Sequence, residues 1–156
     1  MFFTYPLNKF YITSLFGWRD SPYPDEQGLQ NYHNGIDLRA AVGDPVYSIA
    51  KGTVKNTYWT DKGGNQIVIE HPNGYRSGYA HLDSIEVNAG DTVKAGQEIG
   101  KAGKTGGFVG MASHLHFTVK KDNEYINPAD LNYQKFRLLP ILLLIALSTG
   151  LYYSYK

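Results

Sequence analysis

Two short stretches hold the residues best suited to metal and proton chemistry. HNGIDL, His33 to Leu38, sets an imidazole and a carboxylate, His33 and Asp37, four positions apart around Gly35, and HLHF, His114 to Phe117, sets His114 and His116 two apart. On a strand, side chains two or four positions apart point to one face, whereas on a helix a separation of two splays them. His114 and His116 therefore share a face of a strand. His33 and Asp37 share one as well if their stretch is extended, and Gly35 between them then leaves room above that face for a cation. Plainer readings stand beside these: His33 as an exposed loop residue, Asp37 as a turn cap, and one of the HLHF histidines as an ordinary sheet-face residue.

The chain has no cysteine, which excludes disulfides, thiolate nucleophiles and thiolate metal sites, so any metal must be held by His, Asp or Glu. Zinc sites that do chemistry usually have three protein ligands and a fourth position for water. His33, Asp37 and one of His114 and His116 make such a set. The histidine left over points into the site without binding the ion, and His81, in GYAHL, adds a second free imidazole. Two unligated imidazoles beside a bound water supply one base and one electrostatic stabiliser, the division of labour that hydrolysis of an amide needs.

The elements that must position these residues read as β-structure. From about Ala41 to Lys121 the sequence is a series of short strands separated by glycine turns, with no apolar pattern of period 3.6 long enough for a major helix. In NQIVIEHPNGYRSGYAHL, Ile67 and Ile69 alternate with Val68 and Glu70, and Asn73-Gly74 supplies the turn of a predicted hairpin whose returning arm carries His81. VNAGDTVKAGQEIGKAGKTG spaces Val87, Val93 and Ile99 among small residues, a texture of tight turns and closely packed short strands. GKAGKTGG has no helix pattern after it and so lacks the geometry of a phosphate-binding loop.

At 156 residues there is room for one compact domain and a tail. A formal charge of +1 and a charged fraction of 19% give no extended basic face, so nucleic acid is not an expected partner. The opening stretch MFFTYPLNKFYITS has no positively charged start, sustained apolar run or small-residue cleavage site, and does not read as a usual secretory signal. Composition changes abruptly after Arg137. Leu138 to Tyr155 is free of charge and, at about 1.5 Å per residue, makes a helix of roughly 27 Å, near the thickness of a bilayer's hydrocarbon core. Pro140 falls in its first turn, and Tyr152, Tyr153 and Tyr155 lie where an aromatic belt would place them. The expectation is a single C-terminal transmembrane helix in contact with lipid.

Seven segments in order, ITSLFGWRDSP, HNGIDL, VYSIAKGTV, IVIEHPNGYRSGYAHL, VKAGQEIGKAGKTG, SHLHF and INPADL, resemble the lysostaphin-like zinc metalloendopeptidases that cut cross-bridges and stem peptides of bacterial peptidoglycan. The resemblance covers roughly residues 5 to 130. It implies a small antiparallel all-β domain with an open groove over a Zn2+ site, and peptidoglycan peptides as substrate. It also implies roles by motif position: His33, Asp37 and His116 as the zinc ligands, His81 and His114 as the catalytic histidines. Arg19, in FGWRD, matches a segment that lines the family's substrate groove, with a surface salt bridge as its plainer role. His71, before Pro72 at the hairpin turn, reads as structural or exposed, and the thirteen tyrosines suit a groove that grips flexible peptides by flat contacts.

Residues 1–132 are then the metalloendopeptidase domain and 133–156 a membrane anchor. By the positive-inside rule Lys135 and Arg137 outweigh Lys156 and would hold the domain on the cytoplasmic face, away from its substrate. The expectation that resolves this is a phage protein anchored in the virion membrane and acting during entry or lysis, with a bacterial envelope protein inserted through its tail as the alternative. Two other functions compete. One is a catalytically inactive relative that binds peptidoglycan or activates another hydrolase, although inactive members usually lack metal ligands. The other is a lipoyl or biotinyl carrier, which VNAGDTVKAGQEIG resembles in texture, but no lysine sits in the hairpin-tip sequence a carrier needs.

Overall fold

A computed structural model of the protein describes residues 1–107 and 110–134. Its β-branched and aromatic residues alternate with polar ones between glycine turns, and twelve strands form among the described residues: β1 Ile12–Ser14, β2 Gly17–Asp20, β3 Gln30–His33, β4 Ile36–Arg39, β5 Pro45–Tyr47, β6 Gly52–Thr60, β7 Gly64–Glu70, β8 Tyr75–Ile85, β9 Thr92–Val93, β10 Glu98–Ala102, β11 His114–Lys121 and β12 Glu124–Ile126. Short 3-10 turns at Pro24–Glu26 and Pro128–Asp130 are the helical elements there.

Ten strands make one sheet, in the order β1-β4-β11-β8-β7-β6-β9, with β12 on β11 and β10 pairing both β8 and β5. A separate ribbon pairs β2 with β3. All ladders of both sheets are antiparallel, as the sequence predicts. Strand alternation assigns the two faces of the large sheet. Leu115, Phe117 and Val119 of β11 join Ile36, Leu38, Ile67, Ile69, Tyr79 and Leu82 in the core, all at 1% exposure or less. His114, His116 and Thr118, on the alternate positions of β11, face away from that core. Burial of the apolar face thus fixes the register that sets the histidines on the open one.

The predicted hairpin forms: β7 and β8 pair with Glu70 opposite Arg76, and Asn73 and Gly74 turn the chain with φ of 60° and 74°. Val87, Val93 and Ile99 are buried as their spacing implied. His71, at the end of β7, is buried rather than exposed. Its Nδ1 lies 2.9 Å from the Lys51 carbonyl and its Nε2 2.7 Å from Ser77 Oγ, which hydrogen-bonds the Tyr79 hydroxyl. That hydroxyl accepts from the Ile49 amide.

The two ends of the described chain are clasped together. Phe3 bridges Tyr133, Gln134 N donates to the Phe3 carbonyl, and Tyr5 stacks on Tyr133 at 4.8 Å. The domain's own packing therefore continues to Gln134. The predicted span at 138–155 lies outside the described residues, and among the described residues no helix is long and apolar enough to cross a membrane.

Candidate metal centre and active site

β11 is the strand that assembles the site. It lies between β4 and β8, with His116 opposite Asp37 on one side and opposite Ala80 on the other, while His33 arrives from the end of β3 in the small ribbon. Three atoms converge there. His33 Nε2 is 3.1 Å from Asp37 Oδ1 and 3.0 Å from His116 Nδ1, and His116 Nδ1 is 2.9 Å from Asp37 Oδ1. Three ligands at about 2.0–2.1 Å around a tetrahedral zinc stand about 3.3 Å apart, so the triangle is close to the size the ion requires.

The protonation of the triangle also fits a cation. His33 Nδ1 lies 2.7 Å from the Leu15 carbonyl, and His116 Nε2 lies 3.2 Å from Asn34 Oδ1. With a proton on that outer nitrogen, each ring offers its inner nitrogen as a lone pair to a cation. Burial raises the pKa of Asp37, but the hydrogen bonds and charge of His116 and His33 outweigh it and hold the carboxyl well below the usual range. Burial lowers the pKa of His116 despite the opposing pull of Asp37. Two imidazole nitrogens and a carboxylate oxygen thus converge on one point.

Arg19 steadies the carboxylate from behind. Its Nη1 donates to Asp37 Oδ2 at 3.3 Å and contacts Ser14 Oγ, so Asp37 keeps Oδ1 for the triangle. Arg19 also lines the cavity over the triangle, so the salt-bridge and groove expectations both describe it. Tyr23 and Tyr32 line the same cavity, whose volume is about 440 Å³.

The two remaining histidines flank the triangle. His114 Nδ1 is 2.9 Å from the Ala112 carbonyl, and its Nε2 is 3.8 Å from Asp37 Oδ1, outside the triangle but beside it. The His81 ring packs 4.6 Å from that of His114, and its Nδ1 is 2.9 Å from the Thr105 carbonyl. Burial lowers the pKa of His81 to about 4 although the Thr105 contact opposes it, so the ring is neutral at physiological pH.

His81 reaches the site against the alternation of its own strand. Tyr79, two positions earlier, is a core residue, so a regular strand would send His81 into the core as well. Instead the β7–β8 register slips between Asn65 and Ile67, His81 takes a φ of 63°, and its amide donates to the Gly63 carbonyl. A bulge of this kind re-aims a side chain at the cost of a sparsely populated backbone conformation.

Two sequence-based premises need correction. His33 and Asp37 do not lie on one extended stretch, because β3 ends at His33 and β4 begins at Ile36. Gly35 does not open space for a cation either: a Cβ there would sit 2.4 Å from the Phe117 carbonyl oxygen and 2.8 Å from Thr118 Cγ2, so the glycine allows the link to cross close over β11. Asn34, a polar residue inside HNGIDL, is the partner of the outer nitrogen of His116, and the sequence reading does not single it out. The carbonyls of Leu15, Ala112 and Thr105 leave no trace in side-chain identity.

Comparison with known proteins places this geometry in a family. The model described as Peptidase family M23 matches residues 31–128. The chain is 38% identical over 123 residues to the peptidoglycan DD-endopeptidase ShyB of Vibrio cholerae, a match covering 79% of this chain and 28% of that relative. The chain thus spans little more than a quarter of that relative's length. Among solved structures, a zinc containing peptidase from Vibrio cholerae superposes with a TM-score of 0.71 at 38% identity, covering 81% of this chain and 39% of that one. The catalytic domain of the antimicrobial peptidase lysostaphin from Staphylococcus simulans gives 0.65 at 31% identity, covering 78% and 91%. Since the matched stretch runs unbroken from β3 to the second 3-10 turn and contains the triangle and both flanking histidines, the chain belongs to peptidase family M23.

Proposed function

We propose that this chain is a zinc-dependent endopeptidase that hydrolyses peptide bonds of bacterial peptidoglycan, with His33, Asp37 and His116 holding the ion and His81 and His114 moving protons. The observation that carries the reading is the triangle of His33, Asp37 and His116 ligand atoms beside two imidazoles whose Nδ1 atoms are already committed to carbonyls. Zinc in such a triangle polarises a carbonyl and acidifies water. The chain's own groups supply the rest. With Nδ1 protonated, His81 and His114 each keep a lone pair on Nε2, able to accept a proton from attacking water and, once protonated, to donate to the developing oxyanion or the leaving amine. Arg19 orients Asp37 throughout by holding Oδ2.

Peptidoglycan as substrate is supported by the relatives' names and by the seven-segment resemblance. An inactive peptidoglycan-binding role is the weaker reading, because such a protein has no use for two oriented imidazoles beside a complete ligand set. The C-terminal span is a further part of the proposal, supported by sequence alone: residues 138–155 anchor the domain in a membrane, that of a phage virion in preference to the bacterial envelope. The direct test is digestion of purified peptidoglycan by the zinc-loaded full chain, with mass analysis of the soluble fragments. New amino termini within cross-bridges or stem peptides are expected, and release of intact glycan–peptide units or of nothing would sink the reading.

A further inference from the structure

The open face of the large sheet carries a second groove that continues from the metal site. It shares Asn34, Gln66, Ala80 and His116 with the metal cavity and encloses about 320 Å³. Ladder register divides its floor into rungs. His116 stands opposite Ala80, Thr118 opposite Gly78, and Lys120 opposite Arg76; across the next ladder Gly78 stands opposite Val68 and Arg76 opposite Glu70. At about 3.3 Å per residue, the four steps from His116 to Lys120 span about 13 Å.

The middle rung is low. A Cβ at Gly78 would lie 2.4 Å from Thr118 Oγ1, so the floor there is main chain and one small hydroxyl-bearing side chain. Tyr58 and Tyr125 stand at its margins, each about two-fifths exposed. A trough with a flat floor and aromatic sides accepts an extended peptide.

The far rung is cationic beyond its own neutralisation. Lys55 Nζ and Arg76 Nη2 both reach Glu70 Oε1, at 2.6 and 2.9 Å. Lys120 has no carboxylate partner among the described residues, and its Nζ lies 4.2 Å from the centre of the Tyr125 ring. Two cations therefore share one carboxylate, and a third stands beside them with none. Arg76 Nε is buried and has no partner among the described residues. A peptide whose reacting carbonyl lies at the His33–Asp37–His116 triangle and which runs extended along the trough brings a group roughly four residues away onto this rung.

We propose that the Lys120–Arg76 rung is a substrate subsite that binds a free carboxylate of the peptide, roughly four residues from the bond cleaved, so that the enzyme discriminates against peptides in which that carboxylate is amidated. This rests on the endopeptidase reading and names its substrate preference. Lys120, over the Tyr125 ring, and Arg76, opposite it on the neighbouring strand, give a carboxylate charge-assisted hydrogen bonds that a neutral carboxamide does not match.

The test uses the zinc-loaded full chain on two substrates, purified peptidoglycan and the same peptidoglycan with its free carboxylates converted to amides, with fragment release rates and zinc content measured for wild type, Lys120→Gln and Arg76→Gln. Wild type should be roughly tenfold slower on the amidated polymer. Each variant should lose roughly that factor on the native polymer, lose little more on the amidated one, and keep full zinc. Equal wild-type rates on the two polymers, or a variant that is slowed equally on both, overturns the subsite. No release from either polymer by zinc-loaded wild type overturns the endopeptidase reading, and the subsite with it.

Discussion

All four histidines at the site are held by the nitrogen that does not face it: His33, His81 and His114 through Nδ1 to main-chain carbonyls, His116 through Nε2 to Asn34. Orientation of a ligand or base by its second nitrogen fixes both tautomer and ring plane. The types and spacing of these histidines are legible in HNGIDL, GYAHL and HLHF. The carbonyls that aim them are not, because any residue supplies a carbonyl and only the fold decides which one is near. His81 is the extreme case, since its placement depends on a bulge that no residue type announces. His71 obeys the opposite logic. Its ring is enclosed, with Nδ1 on the Lys51 carbonyl and Nε2 on Ser77 Oγ, whose own proton goes to the Tyr79 hydroxyl. Burial accordingly lowers its pKa below 6.5 despite the Lys51 contact. The folded state thus holds fewer protons than the unfolded one as pH falls, so its contribution is full above 6.5 and is lost as pH drops through the folded value. Chemical denaturation of the metal-stripped protein should show stability declining from pH 6.5 downward, with a shallower slope for His71→Gln. Identical slopes for the two proteins would show that His71 is not the group responsible.

Elements were legible in proportion to their length. β7 and β8, of seven and eleven residues, show enough alternation and a clear Asn-Gly turn to be read as a hairpin. The β2–β3 ribbon and the β11–β12 hairpin carry no comparable signal in the sequence. Strands of three or four residues offer too few alternations, and the second hairpin turns on Asp122 and Asn123, with φ of 50° and 72°, a less conspicuous pair than Asn-Gly. The ribbon matters because it delivers His33 and Arg19 to the site. The C-terminal apolar stretch is a feature of the sequence alone, and its proposed role as an anchor is tested by membrane flotation of the full chain beside a chain ending at Gln134, which keeps the Tyr133 clasp. The full chain should float with lipid vesicles and the shorter one should stay at the bottom of the gradient. A full chain that stays soluble and monomeric without lipid or detergent would remove the anchor and the localisation built on it.

At the scale of the whole molecule, one sheet does two jobs with its two faces. The apolar face locks the register of β4, β11, β8 and β7, and that register sets Asp37 and His116, the flanking imidazoles and the cationic rung at fixed intervals on the open face. Spacing alone left His114 and His116 interchangeable; the resemblance distinguished them, and the triangle of donor atoms includes His116 and leaves His114 beside it. That distinction is the centre of the account. Its most direct test measures zinc content and peptidoglycan hydrolysis on the same preparations of wild type, His116→Ala and His114→Ala. Wild type should carry one zinc per chain. His116→Ala should lose both zinc and activity, whereas His114→Ala should keep zinc and lose on the order of a hundredfold in rate. Full zinc in His116→Ala, or loss of zinc from His114→Ala, would contradict the assignment.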